Sequence, residues 1–517
     1  MDTKWETIRS NLKMKISWHH NERVRCFQEM AKNIKKEKKK KYLKILFVYP
    51  NVTRTRSPQL GICMLAAVAY QLGHKCDIYD LTTIPEGNEV SMFQSKLESF
   101  NPDILAVSCR SNEWPFINQL FQSVETDNIL KVFGGPHVTV STEEVLNFAD
   151  VAVIGEGEDT FSELLDKIAG GENITNVTGC WVKKNGKIIK NKMRDLISNL
   201  DKLPLPYWKI FDDAHYYDSY IKKLFKGAEV AGTFEFSRGC PYACTYCTND
   251  YVRELYRGKG KWRREKSPER IIQEMELFRD RYGLDCVYFI DEVLLTNFAR
   301  LEKFCSLYRS KIRKPFVFME RPENMIDKKV KIIREAGAQR VSIGIETGDE
   351  NIRKNILNRH HSSEVIISAF RTAKSYELAT HAFTMIGLPS EDKNSIKKTF
   401  NILREAQPDT VQTTIFYPLK NTKLYEKVVS EGLFDPKSSM PTGYYSRSCL
   451  NLPGSNKKLL LRWQYILTNY RSRLIALFLL SLPSPLVFRI LVFLRSFLIQ
   501  LRGDGFQSAM KAFMQTC

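Results

Sequence analysis

The repeated alternation of short apolar segments with amphipathic segments constrains the fold of this 517-residue chain more than any other feature. Lys44–Tyr49 is apolar enough to form a buried parallel strand, and Gly61–Leu72 has helical spacing with Leu65 and Val68 on one face. Further strands are predicted at Cys76–Tyr79, Ile104–Val107, Leu130–Phe133 and Val151–Ile154. Strands that alternate with helices in this way predict an α/β domain, a doubly wound, Rossmann-like parallel sheet over residues 44–169.

A second alternating region begins at Gly232 and predicts a parallel (β/α) barrel, full or partial, over residues 227–450. Its predicted strands are Thr233–Ser237, Val287–Ile290, Phe316–Met319, Val341–Ile345, His381–Met385 and Thr410–Phe416. Between the two regions, residues 170–226 are predicted to be a linker with a small hairpin that turns at Asn185-Gly186. The chain is also too long for a single core, which agrees with two or more domains.

The formal net charge of +20 is concentrated at the two ends of the chain. Residues 1–44 contain eleven Lys, three Arg and five acidic residues, a net charge of +9, and residues 1–43 are predicted to be a basic helical leader. Residues 456–517 contain three Lys, six Arg and one Asp, a net charge of +8. A groove for nucleic acid would place its charge in the middle of the chain, so no nucleic-acid partner is predicted. Basic ends either meet an anionic phospholipid surface or are solvated without a partner.

Residues 451–517 are predicted to be a helical segment that is both apolar and basic. Leu474–Phe488 has no charged residue, but it is short and contains two prolines, so it does not predict a membrane span. Arg489 and Arg495 interrupt the apolar sequence that follows. Two interpretations remain open: a helix that lies in the membrane interface with its arginines directed outward, and a helical cap that packs on the barrel.

Three of the twelve cysteines, Cys240, Cys244 and Cys247, form the one cysteine cluster of the sequence, with CxxxCxxC spacing. Because no secretory signal opens the sequence and cysteines are sparse, we expect a cytoplasmic protein with reduced cysteines. The alternative is a peripheral position at the inner face of the membrane. Three thiolates hold three irons of a [4Fe–4S] cluster and leave the fourth iron open to a ligand. Thiolates also bind zinc, but no fourth Cys or His lies between Pro241 and Lys266.

Residues 236–247, Phe-Ser-Arg-Gly-Cys-Pro-Tyr-Ala-Cys-Thr-Tyr-Cys, closely resemble the cluster loop of radical S-adenosylmethionine (radical SAM) enzymes. Segments that also resemble this family are Trp262–Arg264, Ser267–Glu269, Phe289–Glu292, Val341–Gly348 and Met385–Pro389. The resemblance implies that the cluster cleaves S-adenosylmethionine reductively, with an electron from an external donor of the flavodoxin or ferredoxin type. It also implies that Tyr246 lies against the adenine and that Glu320, Arg321 and Glu346 contact the cosubstrate. The alternative for these last three residues is that they fill the barrel interior.

Two glycine loops follow predicted strands of the N-terminal sheet: Gly134-Gly135-Pro136-His137 and Gly155-Glu156-Gly157. Glycines at such positions let the backbone approach a ligand closely and expose amide groups. Together with Pro58–Gly61, Val107-Ser108 and the cluster loop, they resemble the cobalamin-binding subfamily of radical SAM enzymes over residues 44–430. The resemblance implies that cobalamin is bound by Ser108, by Gly134, Gly135 and Pro136, and by Gly155, Glu156 and Gly157. A sheet without cofactor is the alternative.

The first strand is not followed by Asp-x-His-x-x-Gly, so the lower axial histidine of classical cobalamin mutases is missing. We interpret His137 as a residue that shapes its loop rather than as a cobalt ligand. The resemblance implies an enzyme that uses the [4Fe–4S] cluster, S-adenosylmethionine and cobalamin to methylate an unactivated carbon of a hydrophobic or natural-product substrate. One alternative is non-methylating chemistry, such as cyclisation, oxidation or carbon–carbon coupling. The other is a cobalamin- or redox-responsive regulator with a structural cluster.

Overall fold

The computed structural model describes residues 41–435, 448–452 and 457–471. The N-terminal part is a seven-stranded sheet with the order β2-β1-β3-β4-β5-β6-β7. Its strands are β1 (Lys44–Tyr49), β2 (Lys75–Asp80), β3 (Ile104–Ser108), β4 (Leu130–Gly134), β5 (Val151–Val153), β6 (Cys180–Lys184) and β7 (Lys187–Lys190). The first five strands pair in parallel, as the sequence predicts for a doubly wound sheet. The predicted basic leader lies almost entirely outside the described residues.

Helices cover both faces of this sheet, which explains why its strands are apolar without alternation. The helices are α1 (Leu60–Gln71), α2 (Glu89–Phe100), α3 (Trp114–Ser123), α4 (Pro136–Val140), α5 (Thr142–Val145) and α6 (Glu158–Ala169). In β1, Ile45 and Phe47 face the core that contains α1 and α6, whereas Leu46 and Val48 face the core that contains α2 and α3. After Lys44, each residue of β1 from Ile45 to Tyr49 is buried and therefore needs a largely apolar side chain, whichever face it points to.

The hairpin β6–β7 extends the N-terminal sheet through antiparallel pairing with β5. Its turn residues Asn185 and Gly186 have φ angles of 51° and 74°, the left-handed conformations of a two-residue hairpin turn. The turn lies where the sequence predicts it. Its incorporation into the N-terminal sheet was not predicted, because residues 170–226 were assigned to a separate linker.

A buried contact ties the chain after the hairpin back to the sheet. His215 is on the short helix α7 (Ala214–Tyr217). Its Nε2 lies 2.5 Å from Oδ2 of Asp80, the last residue of β2. Both side chains are buried, and the rings of Phe211 and Tyr49 pack edge to face at 5.4 Å beside them. The connection between the two sheets is therefore anchored in the N-terminal core.

The second part of the chain is a partial parallel barrel, which confirms the predicted fold class. Its strands, with the order β15-β14-β13-β12-β11-β8, are β8 (Ala231–Phe234), β11 (Cys286–Phe289), β12 (Phe316–Glu320), β13 (Ala338–Glu346), β14 (Ala379–Ile386) and β15 (Thr410–Ile415). Two short strands, β9 (Ser237–Arg238) and β10 (Arg264–Glu265), pair with each other beside the barrel. The helices are α8 (Thr248–Leu255), α9 (Pro268–Tyr282), α10 (Phe298–Lys311), α11 (Asp327–Ala336), α12 (Ser363–Ser375), α13 (Lys393–Ala406) and α14 (Lys423–Ser430).

The helix α15 (Lys457–Thr468) packs on β15, the edge strand of the barrel sheet. Trp463 and Leu467 are buried in the core beneath it, and Gln464 Nε2 donates to the carbonyl oxygen of Thr413 at 2.9 Å. For this stretch the structure shows the helical cap that was one of the two interpretations of residues 451–517. Leu474–Phe488, Arg489 and Arg495 lie outside the described residues. Within the described ranges, no helix is both long and apolar enough to cross a membrane.

Candidate active site

The three cluster cysteines lie on the loop that follows β9. The side chains of residues 262 and 263 bind the backbone of this loop at its start. Trp262 Nε1 donates to the carbonyl oxygen of Cys240 at 2.8 Å, and Arg263 Nη1 donates to that of Gly239 at 3.1 Å. Gly239 has a φ of +86°, and a Cβ there would overlap the backbone of Trp262. A glycine is therefore required before the first cysteine. Because these contacts use backbone atoms, they do not occupy the thiols that would hold the cluster.

The second half of the loop is held by Leu357 and Asn358, which directly follow a π-helix at Ile352–Ile356. The amide of Thr245 donates to the carbonyl oxygen of Leu357 at 3.3 Å, and Asn358 Nδ2 donates to that of Ala243 at 2.8 Å. Single π-helical turns occur frequently at functional sites. The loop is thus held at both ends by segments that are distant in sequence.

Arg321 lies directly beside the second cysteine. Its Nη1 donates to Sγ of Cys244 at 3.0 Å, and its guanidinium lies 3.8 Å from the ring centroid of Tyr242. Glu323 pairs with Arg321 at 2.7 Å and with His361 at 3.2 Å. Although burial opposes the charge of Glu323, His361 and Arg321 lower its pKa to about 2. A positive charge therefore adjoins the thiol of Cys244, and contact of Arg321 with the cosubstrate stays a prediction.

Glu320 is engaged by its own chain. Its carboxylate accepts hydrogen bonds from the amides of Leu294 at 2.9 Å, Leu295 at 2.6 Å and Arg321 at 2.9 Å, and from Asn324 Nδ2 at 2.7 Å. Burial raises the pKa of this carboxyl group. The arrangement favours the alternative interpretation, in which Glu320 fills the barrel and positions the loops after β11 and β12.

Glu346 and Tyr246 are brought together by Arg359, a residue that the sequence analysis did not identify. Arg359 Nη1 lies 3.3 Å from the hydroxyl of Tyr246 and 3.5 Å from Oε1 of Glu346, and Nη2 donates to the carbonyl oxygen of Gly344 at 2.5 Å. Glu346 has a φ of +63°, a strained conformation for a residue with a side chain. Such strain is concentrated at functional sites. No motif around Arg359 in the single sequence indicated this role.

All seven residues predicted for cobalamin line one cavity of about 370 Å³ beyond the carboxyl ends of β3, β4 and β5. They are Ser108, Gly134, Gly135, Pro136, Gly155, Glu156 and Gly157. Glu235 and Arg238, which lie between β8 and the cluster loop, line the same cavity. The cavity is therefore built by both parts of the chain, and Cys240, the first of the three cysteines, lies two residues beyond Arg238.

The glycines of this cavity differ in what they provide. A Cβ at Gly61 would meet no atom within 4 Å, and one at Gly134 or Gly157 would meet only apolar side chains at 3.6 to 3.8 Å. These three positions leave open space, as a cradle for a bulky ligand requires. Gly135, with a φ of +96°, is different, because a Cβ would lie 2.9 Å from Ser108 Oγ and 3.2 Å from the backbone of Cys109.

Two amides of the second glycine loop are bound by protein groups, which differs from the expectation that they are exposed to a ligand. The amide of Gly155 donates to Thr139 Oγ1 at 3.0 Å, and the amide of Glu156 donates to the hydroxyl of Tyr256 at 2.7 Å. These hydrogen bonds hold the shape of the loop. The cavity therefore offers space and apolar surface here rather than a row of free donors.

His137 does not line this cavity. Its ring stacks on Trp114 with centroids 4.9 Å apart, and Nδ1 lies 3.2 Å from Ser111 Oγ. Burial lowers its pKa to about 4, so the ring is neutral at physiological pH. These contacts agree with the interpretation of His137 as a residue that shapes its loop.

Two domain families match the chain at the two parts of this site. The Radical SAM superfamily matches residues 234–403, and the B12 binding domain matches residues 50–165. The fold and the matches define a radical SAM enzyme. Because the B12 binding domain precedes it in the same chain, the protein belongs to the cobalamin-binding radical SAM enzymes. Its cofactors are a [4Fe–4S] cluster, S-adenosylmethionine and cobalamin.

Several known proteins are similar over most of the chain. An uncharacterized methyltransferase from Pyrococcus horikoshii is 27% identical over 76% of this chain and 84% of its own length. Cytidylyl-2-hydroxyethylphosphonate methyltransferase from Streptomyces wedmorensis is 21% identical over 82% and 89%, respectively. The structure of the radical SAM methyltransferase TsrM from Kitasatospora setae, with cobalamin and a [4Fe–4S] cluster bound, has a TM-score of 0.60 at 15% identity and covers 77% of this chain and 78% of that chain. The similarity to TsrM shows the shared fold.

Proposed function

We propose that this protein is a cobalamin-dependent methyltransferase that uses radical chemistry on an unactivated carbon. The observation that carries the proposal is the cavity shared by the glycine loops and by Arg238, two residues before the first cluster cysteine. When bound, the cluster supplies the electron that cleaves S-adenosylmethionine, and cobalamin supplies a methyl group. The shared cavity supports a reaction that uses both reagents, because it would bring them to the same edge of the two sheets.

The chain's own residues supply binding and orientation. Cys240, Cys244 and Cys247 would hold the cluster, and the contacts of Gly239, Cys240, Ala243 and Thr245 position the loop that carries them. Tyr246, Arg359 and Glu346 would orient the cosubstrate, because the buried guanidinium of Arg359 contacts the other two side chains next to the third cysteine.

For the substrate, we propose a hydrophobic or natural-product molecule. The names of similar proteins indicate that their substrates vary widely. One of them is the phosphonate methyltransferase. Another is a hopanoid C-2 methylase from Rhodopseudomonas palustris, which is 22% identical over 61% of this chain and 55% of its own length. The apolar and basic residues 472–517 also support a hydrophobic substrate and a contact with an anionic membrane surface. The electron would come from a cytoplasmic donor of the flavodoxin or ferredoxin type.

A second candidate function is ring formation without methyl transfer. An anaerobic magnesium-protoporphyrin IX monomethyl ester cyclase from Cereibacter sphaeroides is 23% identical over 75% of this chain and 64% of its own length. We place this candidate second because the relatives with the higher coverage of their own length are named as methyltransferases.

The experiment is an anaerobic reconstitution with iron, sulfide and hydroxocobalamin, followed by reduction and measurement of 5′-deoxyadenosine. Iron and cobalt are counted on the native protein, on Cys244→Ala and on Cys76→Ala. Cys76 is a partly buried cysteine of β2, so its variant is a matched control outside the cluster loop. We expect the native protein and Cys76→Ala to retain both metals and release 5′-deoxyadenosine, and Cys244→Ala to retain cobalt only.

Methyl transfer is then tested with S-adenosylmethionine labelled on its methyl group, against lipid and soluble extracts. Label in a product that requires bound cobalt supports the proposal. If the cosubstrate is cleaved but label never enters a product while the substrate changes mass by loss of hydrogen, ring formation or oxidation replaces methyl transfer. If cobalt does not remain bound, the cobalamin part of the proposal is wrong.

A further inference from the structure

The cluster loop and α8 lie between two short strands that pair with each other. In β9–β10, Arg238 pairs with Arg264 and Ser237 pairs with Glu265, antiparallel. Residues 239–263 therefore begin and end at neighbouring positions. Arg238 precedes this cluster segment and Arg264 follows it, and both side chains contact the second glycine loop of the N-terminal sheet.

Arg264 binds Glu156 in the bidentate geometry that makes arginine–carboxylate pairs strong. Nη1 donates to Oε2 at 2.8 Å and Nη2 donates to Oε1 at 2.7 Å. Nη1 also donates to the carbonyl oxygen of Ile197, in the connection between the sheets, at 2.9 Å. Glu156 was predicted to contact cobalamin, but its carboxylate is committed to this pair.

Arg238 adds a second set of ion pairs across the same boundary. Its Nη2 lies 2.7 Å from Oε1 of Glu158, Nη1 lies 3.5 Å from Oε1 of Glu156, and Nε donates to Oε2 of Glu235 at 2.9 Å. Although burial opposes the charge of Arg238, Glu158 and Glu235 raise its pKa well above the usual value. Arg238 and Glu156 both line the cobalamin cavity, so this set of ion pairs is part of its wall.

Tyr256, directly after α8, makes the third contact. Its hydroxyl accepts a hydrogen bond from the amide of Glu156 at 2.7 Å, and its ring lies 6.3 Å from that of Trp262, which binds the loop at Cys240. We name these five residues, Glu156, Glu158, Arg238, Tyr256 and Arg264, the latch. The latch joins the backbone of the cobalamin loop to both ends of the cluster segment.

The charges of the latch are deeply placed: the side chains of Arg264 and Glu158 are 4% and 8% exposed. A buried charge that loses its partner is costly, so the latch favours only the arrangement in which all partners are in place. A cluster held by Cys240, Cys244 and Cys247 would restrain residues 239–263 further, and with them the two arginines at either end of the segment. The arginines in turn hold Glu156 and Glu158 at the cavity wall.

We propose that the latch couples the two cofactor sites, so that assembly of the cluster tightens cobalamin binding. This inference rests on the presence of the two cofactors and not on methyl transfer. Coupling of this kind is reciprocal, so bound cobalamin raises the affinity of the loop for the cluster by the same factor. Couplings between protein sites commonly change affinity by about 5- to 150-fold.

The test measures the dissociation constant of hydroxocobalamin by anaerobic equilibrium dialysis, for full-length protein without and with a reconstituted cluster. No cosubstrate or substrate is present, so the result does not depend on catalysis. We expect the cluster to tighten binding at least fivefold in the native protein. In Arg264→Lys, which keeps the charge but loses the bidentate geometry, the ratio of the two constants falls towards one. Tyr256→Phe, which removes a single oxygen atom, lowers the ratio partly.

The matched control is Arg270→Lys. Arg270 pairs with Glu274 on the same helix at 2.8 Å, so this variant alters a buried ion pair without touching the latch. It retains the native ratio. A second readout is iron released to a chelator, which cobalamin slows in the native protein and in Arg270→Lys but not in Arg264→Lys.

A native ratio near one overturns the proposal, as does an unchanged ratio in both Arg264→Lys and Tyr256→Phe. Because dialysis reports binding alone, a protein that shows the coupling but forms no methylated product contradicts the proposed function and leaves the latch intact. A protein that forms the methylated product but shows no coupling contradicts the latch and leaves the proposed function intact.

Discussion

Gly155 shows how one residue of the cobalamin loop depends on a side chain from the other part of the chain. Its φ of +76° is left-handed, and a Cβ would overlap the hydroxyl of Tyr256. The backbone conformation alone disfavours a side chain here, and the approach of Tyr256 adds a second reason. The predicted glycine is thus required by the close approach of Tyr256, from the second part of the chain, as well as by its own backbone.

We predict that Gly155→Ala displaces Tyr256 and weakens cobalamin binding by roughly tenfold or more, since overpacking of a tight site costs about 1–3 kcal/mol. Gly73→Ala is the control, because Gly73 has a similar φ of +83° but nothing within 4 Å of a Cβ. Both variants carry left-handed strain of about 1–2 kcal/mol. Cobalt retained after gel filtration separates them, and equal losses in the two variants would contradict this explanation.

At the scale of residues, the sequence predicts best where a backbone requirement leaves a local signal. Ser108 and the six candidates of the glycine loops line one cavity because they lie at the carboxyl ends of strands of the same sheet. Arg359 left no such signal, since it reaches Tyr246 across 113 positions of sequence. Glu156 was predicted for the right cavity, but its pairing with Arg264 depends on a contact between parts that the sequence does not place relative to each other.

At the scale of elements, α15 is a cap whose role follows from what it covers. Thr413 would present an unpaired carbonyl oxygen at the edge of the barrel sheet, and Gln464 binds it. Trp463, 3% exposed, fills the core beneath the helix. An uncovered edge strand is a site for unwanted pairing, so the cap also protects the sheet.

We predict that Trp463→Ala lowers the free energy of unfolding by about 3–5 kcal/mol, the usual cost of removing a buried Trp side chain. Chemical denaturation monitored by circular dichroism measures it. Exposed Leu277→Ala serves as the control, with a change within about 0.5 kcal/mol. A loss for Trp463→Ala no larger than that of the control would show that α15 does not stabilise the barrel.

The predicted strands agree with the observed ones to within a few residues, because fully buried parallel strands are continuous apolar runs. The predicted strand Thr233–Ser237 is an exception: β8 ends at Phe234, and Ser237 belongs to β9. The chain leaves the barrel sheet where the amide of Phe236 donates to Asp291 Oδ2 at 2.9 Å. That carboxylate comes from a different strand end, so local sequence carried no sign of the break.

At the scale of the whole molecule, the positive charge lies mainly outside the two sheets. Residues 472–517 alone contain five basic residues and one acidic residue. The two interpretations of residues 451–517 therefore apply to different residues. Residues 457–471 cap the barrel, and contact with a membrane is a hypothesis for residues 472–517.

We predict that a chain ending at Arg471 keeps its fold but binds phosphatidylserine vesicles at least tenfold more weakly than the full chain. Each basic residue near an anionic surface contributes about 1 kcal/mol, which a truncation removes. Vesicle sedimentation at low and physiological salt measures the difference, with zwitterionic vesicles as the control. Equal binding by both chains would assign any membrane contact to the N-terminal residues instead.

The pairing of β9 with β10 also bears on how much the length of the cluster segment can vary. Because residues 239–263 begin and end at neighbouring positions, we expect insertions within them to leave the path of the barrel strands unchanged. A graft of the whole segment would have to keep Tyr256 and the loop contacts to Leu357 and Asn358 as well as the two arginines, because these contacts also join it to the rest of the chain.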